Sequence, residues 1–350
     1  MQIHLLSSQS SSTQAGTGHP PHLPNDLCAA LREQGHAVEI DLLGDTLPGH
    51  DLTSMREGAA AGRKIAGRLS EAGSVLHALD PVAWAAALTA RSLTDVSVVL
   101  RFSEPTHDDS RPATERRAYR ACLQAADAIA AADDADRLAA VRAGVSDGRA
   151  LIVPDVVGLS AEKPDPAMLH PGRMVLSLNG IGPGSGIETL LSALRWVPGR
   201  ELVVAGSGSS ADAAALRAGL KRLALTDRVR WLGWVDRTAI VPLIDAAGLV
   251  VLPSPTTGAT GALEAMARSR AVATVDGGAA ADVVVDGVTG SVLPAGHPDL
   301  LGQALRTLLN NPFQLEAMGL AGRERALTRY ARSRAVTATE RAYRVALGAA

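Results

Sequence analysis

The chain has 350 residues, 47% of them hydrophobic and 20% charged, with a formal net charge of −2. That length favours two domains of ordinary size over one, and the composition is that of a globular protein. The near-zero net charge excludes a broadly basic surface for nucleic acid or an anionic membrane.

Lysine occurs only at Lys64, Lys163 and Lys221, and arginine supplies the remaining basic residues. With the abundant alanine, this bias fits a GC-rich bacterial coding sequence. Cys28 and Cys122 have no metal-ligand spacing, and both fall in apolar helical patterns, so buried free thiols are expected. The opening "MQIHLLSSQS" is too short and too polar for a signal peptide. No run of about 18 apolar residues offers a membrane span. The expected location is the cytoplasm.

In chain order, "IHLL" (3–6) reads as a strand. "LPNDLCAALREQG" follows as a helix, with Leu23, Leu27, Ala30 and Leu31 on one face and Gly35 at its end. Then come the strand "AVEIDLL" (37–43), the strand "SVLHAL" (74–79), the helical "PVAWAAALTARSL" (81–93) and the strand "VSVVLRF" (96–102). "TERRAYRACLQAADAIAAA" (114–132) reads as one amphipathic stretch and "ALIVP" (150–154) as a strand. This β-α-β-α rhythm predicts a parallel sheet with helices on both faces.

Residues 154–172 carry prolines at 154, 164, 166 and 171 and little periodicity, which reads as a linker. The rhythm restarts at "RMVLSLN" (173–179). "ELVVAGSG", "RVRWLG", "LVVLPS", "AVATVDGG" and "GSVLPAG" follow as short strands or strand ends. The pattern predicts an α/β protein of two doubly wound domains, 1–160 and 171–334. Ligands bind such sheets beyond the carboxyl ends of their strands, so the cleft between the domains is the expected site.

Two stretches carry the chemistry. In "LSLNGIGPGSGIETLLSAL" (176–194) a hydrophobic run stops at a glycine-rich loop and a helical pattern opens at Ile187. That is the build of a phosphate-cradling loop, with donors from the backbone of Gly182, Gly184 and Gly186; Pro183 has no N–H. Yet no Lys or Arg lies between Arg173 and Arg195. The second stretch is "TTGATGALEAMARSRAVA" (256–273), after the strand "LVVLPS". Its "LEAMA" reads as a helix start whose N–H groups favour an anion, and Gly258 and Gly261 permit close backbone approach to a ligand.

On these segments, with "ELVVAGSGS", "DRVRWLGWVDR", "AAGLVVLPS", "VVVDGVTGSVLPAGHPDLLGQAL" and "MGLAGRERAL", the chain from about Met174 to Tyr330 resembles the GT-B-fold retaining glycosyltransferases of family 4 (glycosyl transferases group 1). "SVLHALDPVAWAAAL" and "VSVVLRFSEP" fit the family's N-terminal layout more loosely. The resemblance implies two Rossmann-like domains facing a cleft, the first for the acceptor and the second for the nucleotide sugar. A C-terminal helix within 335–350 would pack back on the first. It implies transfer of a sugar, with retention, from a UDP- or GDP-linked donor to a small-molecule or glycan acceptor. No metal, no other cofactor and no nucleic acid are implied.

Carried onto this sequence, the resemblance gives Glu264 to the ribose hydroxyls, which a carboxylate can accept in pairs. It gives the first turn around Gly258, Thr260 and Gly261 to the nucleotide. Thr256 stands where the family has a second Glu, eight residues earlier. Ile181 and Ser185 stand where it has the Arg and Lys that neutralise the diphosphate; Arg101 is the candidate replacement. Gly182, Gly184 and Ser185 line the diphosphate. Gly206 and Gly233 flank the base, with at least one of Trp231 and Trp234 in the core. On the acceptor side it points to Gly16 and Gly18 in the first loop, to His77, and to Ser103 and His107 near the reacting sugar. The departures at 181, 185 and 256 set a second expectation: a catalytically degenerate relative that binds nucleotide or serves a protein partner. A sugar-nucleotide epimerase ranks last, for want of a carboxylate pair.

Overall fold

The computed structural model describes residues 1–7, 23–43, 52–69, 73–102, 112–132, 134–154 and 174–348. They form two compact units. One takes the described residues up to Pro154 together with those from Arg332 onward, and the other runs from Met174 to Ala331.

The first unit alternates β1 (Gln2–Ser7), α1 (Leu23–Glu33), β2 (Ala37–Leu42), α2 (Leu52–Ala66), β3 (Val75–Ala78), α3 (Pro81–Arg91), β4 (Ser97–Phe102), α4 (Ala113–Ala125), β5 (Ala128–Ala131), α5 (Asp134–Arg142) and β6 (Ala150–Ile152). The strands pair in parallel in the order β2-β1-β3-β4-β5-β6. β3 and β5 are buried at every position, as strands covered on both faces must be. The stretch 114–132, which reads as one amphipathic element, in fact divides: α4 ends at Ala125 and Ala128–Ala131 pair with β4 and β6. Ala-Ile-Ala-Ala has no period to show, so its place in the sheet decides its conformation.

The last helix, labelled α13 by chain order (Arg332–Ala346), belongs to this unit. Its Ala335, Val336, Ala342 and Tyr343 join Ile3, Leu27, Val75 and Val99 in one buried cluster, so it covers the same sheet face as α1.

The second unit contains β7 (Met174–Ser177), α6 (Ile187–Ala193), β8 (Glu201–Ala205), α7 (Ser210–Arg222), β9 (Val229–Gly233), α8 (Arg237–Ala246), β10 (Ala247–Leu252), α9 (Ala259–Ala267), β11 (Val272–Val275), α10 (Ala279–Val283), β12 (Gly290–Leu293), α11 (Pro298–Leu309) and α12 (Pro312–Arg329). Its six parallel strands run β12-β11-β10-β7-β8-β9, with one buried apolar cluster on each face. The chain winds outward from β7 to β9, then crosses back to place β10 on the other side of β7. That reversal is the topological switch point, where connections leave in opposite directions and open a crevice beyond the strand ends. The loops after β7 and β10 flank it, and they are the two stretches singled out in the sequence. In the first unit the reversal lies between β1 and β3.

Cys28 is buried, Cys122 is half-buried, and both are free thiols. Burial raises both above the usual thiol range, Cys122 to about 11. Among the described residues no helix is long and apolar enough to cross a membrane.

Candidate functional site

At the switch point of the second unit, three neighbouring strands end alike. The helices after β7, β10 and β11 are α6, α9 and α10; they begin from Gly186, Gly258 and Gly278, with no side-chain cap. The helices after β8 and β9 are closed by their own side chains. Ser209 and Asp212 form a capping box on α7, and Asp236 caps α8. An uncapped helix start leaves backbone N–H donors without intrahelical partners. In this unit the uncapped starts led by glycine follow the three adjacent strands β7, β10 and β11; α11, after the edge strand β12, is also uncapped but starts from His297.

The glycine-rich loop is shaped by close approach. Gly186 has φ +73°, and a Cβ there would lie 2.1 Å from the Pro253 carbonyl oxygen. Only glycine lets this loop lie against the β10–α9 connection. Gly184 is also left-handed, at φ +78°, and its surroundings are open. Ser185 is buried, and its Oγ accepts weakly from the Ile187 N–H at 3.4 Å. Ile181 is core, 5% exposed and packed with Ile187, Leu191 and Ala213. Neither position turns a cation toward a ligand. The Asp212 carboxylate stands beside the loop, 3.5 Å from where a Cβ on Gly182 would be. Its bonds from the Ser209 hydroxyl and backbone hold it below the usual carboxylate range, so it remains charged.

The helix α9 begins at Ala259, four residues before the start that "LEAMA" marks in the sequence. Glu264 therefore stands in the second turn, half-buried, and not in the first. Thr256 is exposed, Thr260 is half-buried and Gly261 is buried. The space beside Gly258 is open.

Farther along the sheet, the Trp231 indole N–H donates to the Gly206 carbonyl at 2.8 Å, and the Gly206 N–H donates to Gly233 O at 2.8 Å. These bonds tie the ends of β8 and β9 together. Trp231 is partly buried against the core, whereas Trp234 is 48% exposed.

In the first unit the structure brings together His77 and Arg101, to which the resemblance gives different partners. Both line one small cavity with Leu27, Val153 and Thr339. Arg101 is 7% exposed, and its guanidinium donates to the Val153 carbonyl. His77 is 1% exposed; its Nδ1 pairs with the Tyr343 hydroxyl at 2.9 Å, and its Nε2 has no partner among the described residues. Burial first, and the Arg101 charge second, push its pKa down to about 3. His77 is therefore a neutral hydrogen-bonding group near neutral pH. Ser103, His107, Gly16 and Gly18 lie outside the described residues. Among the described residues no group of three or more His, Cys, Asp or Glu is placed to hold a metal.

Tyr343, Asn179, Thr257 and Ser254 are absent from the sequence-level candidates. Only Ser254 carried a signal: a hydroxyl residue ending the apolar run "LVVLP", where burial demands a partner.

Residues 172–311 match the family described as Glycosyl transferases group 1. Over 162 residues the chain is 31% identical to D-inositol 3-phosphate glycosyltransferase of Segniliparus rotundus, covering 44% of this chain and 36% of that protein. Over 144 residues it is 35% identical to the protein of the same name from Mycolicibacterium paratuberculosis, covering 40% and 32%. The chain thus spans about a third of the length of the curated relatives it matches. Among solved structures, sucrose-phosphate synthase from Thermosynechococcus elongatus superposes with a TM-score of 0.87 at 19% identity, covering 100% of both chains. Anabaena HepE in complex with UDP and glucose superposes with a TM-score of 0.77 at 17% identity, covering 97% of this chain and 98% of that one.

Proposed function

We propose that this chain, a GT-B fold whose residues 172–311 match glycosyl transferases group 1, transfers a sugar with retention, and without a metal, from a UDP- or GDP-linked donor to a small-molecule or glycan acceptor. The observation that carries the reading is the set of glycine-led, uncapped helix starts after β7 and β10 at the switch point and after the adjacent β11, with Glu264 one turn inside α9. Backbone donors there suit a diphosphate, and a carboxylate suits a ribose diol. Glu264 binds the ribose. Gly182, Gly184, Ser185, Gly258, Thr260 and Gly261 face the phosphates. Gly206 and Gly233 flank the base, and Thr256 meets the donor sugar. His77 and Arg101 of the first unit, with Ser103, His107, Gly16 and Gly18, serve the acceptor and the reacting sugar. The complex of Anabaena HepE, on the same fold, with UDP and glucose supports the donor class.

The testing experiment is calorimetric titration with UDP and GDP, repeated on Glu264→Ala. Micromolar binding that weakens in the variant is expected. Binding indifferent to Glu264 overturns the site, and no release of nucleoside diphosphate from any donor and acceptor pair overturns the activity.

A second reading, a nucleotide-binding relative that serves a partner enzyme, is favoured by one observation. The positions aligned with the family's Arg and Lys are a core Ile181 and a buried Ser185. A charge-assisted hydrogen bond contributes about 1.5–3 kcal/mol, so two absent ones leave the leaving group short by roughly 3–6 kcal/mol. Full turnover by the purified chain alone excludes this reading.

A further inference from the structure

The two loops at the switch point are fastened to each other by neutral groups. Ser254, 1% exposed, donates its hydroxyl hydrogen to the Gly184 carbonyl at 2.6 Å. Its oxygen accepts from the Thr256 N–H at 3.1 Å and lies 2.9 Å from Thr256 Oγ1. Beside it, the buried Asn179 carboxamide donates to Thr257 Oγ1 across 78 residues of sequence. A serine hydroxyl has one hydrogen, and that of Ser254 is engaged by Gly184. In the 2.9 Å contact the Thr256 hydroxyl must therefore be the donor. With its one hydrogen so engaged, the exposed Thr256 can only accept from a further partner.

From this polarity we infer that Ser254 is a positioning residue for the donor. It holds the glycine-rich loop in its phosphate-facing form where no lysine or arginine does so, and it sets Thr256 as an acceptor for a hydroxyl of the donor sugar. An acceptor is also what a glutamate at position 256 would provide, so the clasp supplies with two hydroxyls what a carboxylate supplies by charge. The inference rests on the donor-site reading above; the clasp itself is testable without any ligand.

The first measurement is amide hydrogen exchange in the full chain without nucleotide. In Ser254→Ala, exchange at Gly184–Ile187 should rise about tenfold, the effect of losing one buried hydrogen bond. Ser177→Ala is the control, because the buried Ser177 hydroxyl has no partner among the described residues and its removal should leave the loop unchanged. The second measurement compares UDP with UDP-glucose by calorimetry. Thr256→Val, at an exposed position where folding is not at risk, should weaken UDP-glucose about tenfold while leaving UDP and the loop's exchange as they were. Unchanged exchange in Ser254→Ala overturns the clasp. Equal loss of UDP and UDP-glucose in Thr256→Val overturns the acceptor role. Failure of the unsubstituted chain to bind UDP overturns the donor-site reading instead, and with it the role assigned to Thr256.

Discussion

The hydroxyl of Tyr343 in α13 lies 2.9 Å from Nδ1 of His77 in β3, joining residues 266 apart in sequence. The rings meet edge to face, with centroids 5.6 Å apart and an interplanar angle of 81°. Both residues are buried, so the pair pins the C-terminal helix to the middle of the first sheet. Tyr343→Phe keeps the ring contact and strips Nδ1 of its partner. The expected cost is about 1–2 kcal/mol, read from the midpoint of urea unfolding.

The same pair sets a pH dependence. The folded-state pKa of His77, about 3, lies below its ordinary value of 6.5. Between those values the unfolded chain binds a proton that the folded chain does not. Stability therefore falls as pH drops through that window, by at most about 1.4 kcal/mol per pH unit from this group. Carboxylates titrate in the lower part of the window, so the test is a difference. From pH 6.5 to pH 5, His77→Asn should lose stability less steeply than the unsubstituted chain. Parallel curves would mean that His77 gains a proton without opening the fold.

The sequence showed the sheets wherever their strands are runs of Val, Leu and Ile, as in Ser97–Phe102 and Ala247–Leu252. It hid β5, whose four residues are nearly all alanine and carry no period. The crevice was legible because glycine records backbone need: Gly186 marks a close approach to Pro253 that no other residue permits. The start of α9 was not, because Ala259 and Thr260 carry no cap signal and Gly258 caps with nothing but backbone. Pairs such as Asn179 with Thr257, or His77 with Tyr343, were beyond reading. Each partner alone is an ordinary polar residue, and only the strand order brings the two together.

A tighter steric argument applies to α2. Its "GAAAG" places Gly58 and Gly62 one turn apart against α3. A Cβ on Gly58 would lie 2.3 Å from the Val82 carbonyl oxygen, and one on Gly62 would lie 2.2 Å from that of Ala86. Alanine in a helix ordinarily gains about 1 kcal/mol over glycine. Here the gain is outweighed, because backbone oxygens cannot yield as a flexible side chain can. Gly62→Ala should destabilise by about 1–3 kcal/mol, as overpacking does, and lower the thermal midpoint.

Two positions should respond in the opposite sense. Ser269 and Ala224 hold left-handed backbone, with φ of 56° and 52°. A side chain there costs roughly 1 kcal/mol relative to glycine. Ser269→Gly also removes a buried hydroxyl that has no partner among the described residues. Each glycine should raise stability by about 1 kcal/mol, Ser269→Gly somewhat more, and the two should add because they lie in separate turns. Thermal melts of both single variants and the double check this.

The buried charge at the opposite end of α9 is the most consequential for stability. Arg268 forks onto the Asp245 carboxylate, both side chains being 14% exposed, and Arg270 donates to the Asp245 backbone carbonyl at 2.6 Å. Burial lowers the pKa of Arg270, and Arg268 adds to the effect, while Asp245 opposes it. The Asp245 carboxylate thus sits against two crowded guanidinium groups, and Arg323, its pKa lowered by burial and by the Arg268 charge, lies near as a third. Asp245→Asn keeps the shape and removes the charge, so it should cost about 3–5 kcal/mol. The pair's own contribution is smaller than that, because desolvation offsets most of the attraction. Arg268→Met added to Asp245→Asn should therefore recover a large share of the loss. A double variant as unstable as the sum of its singles would show that the two residues act separately, and that Arg270 is what Asp245 is there to neutralise.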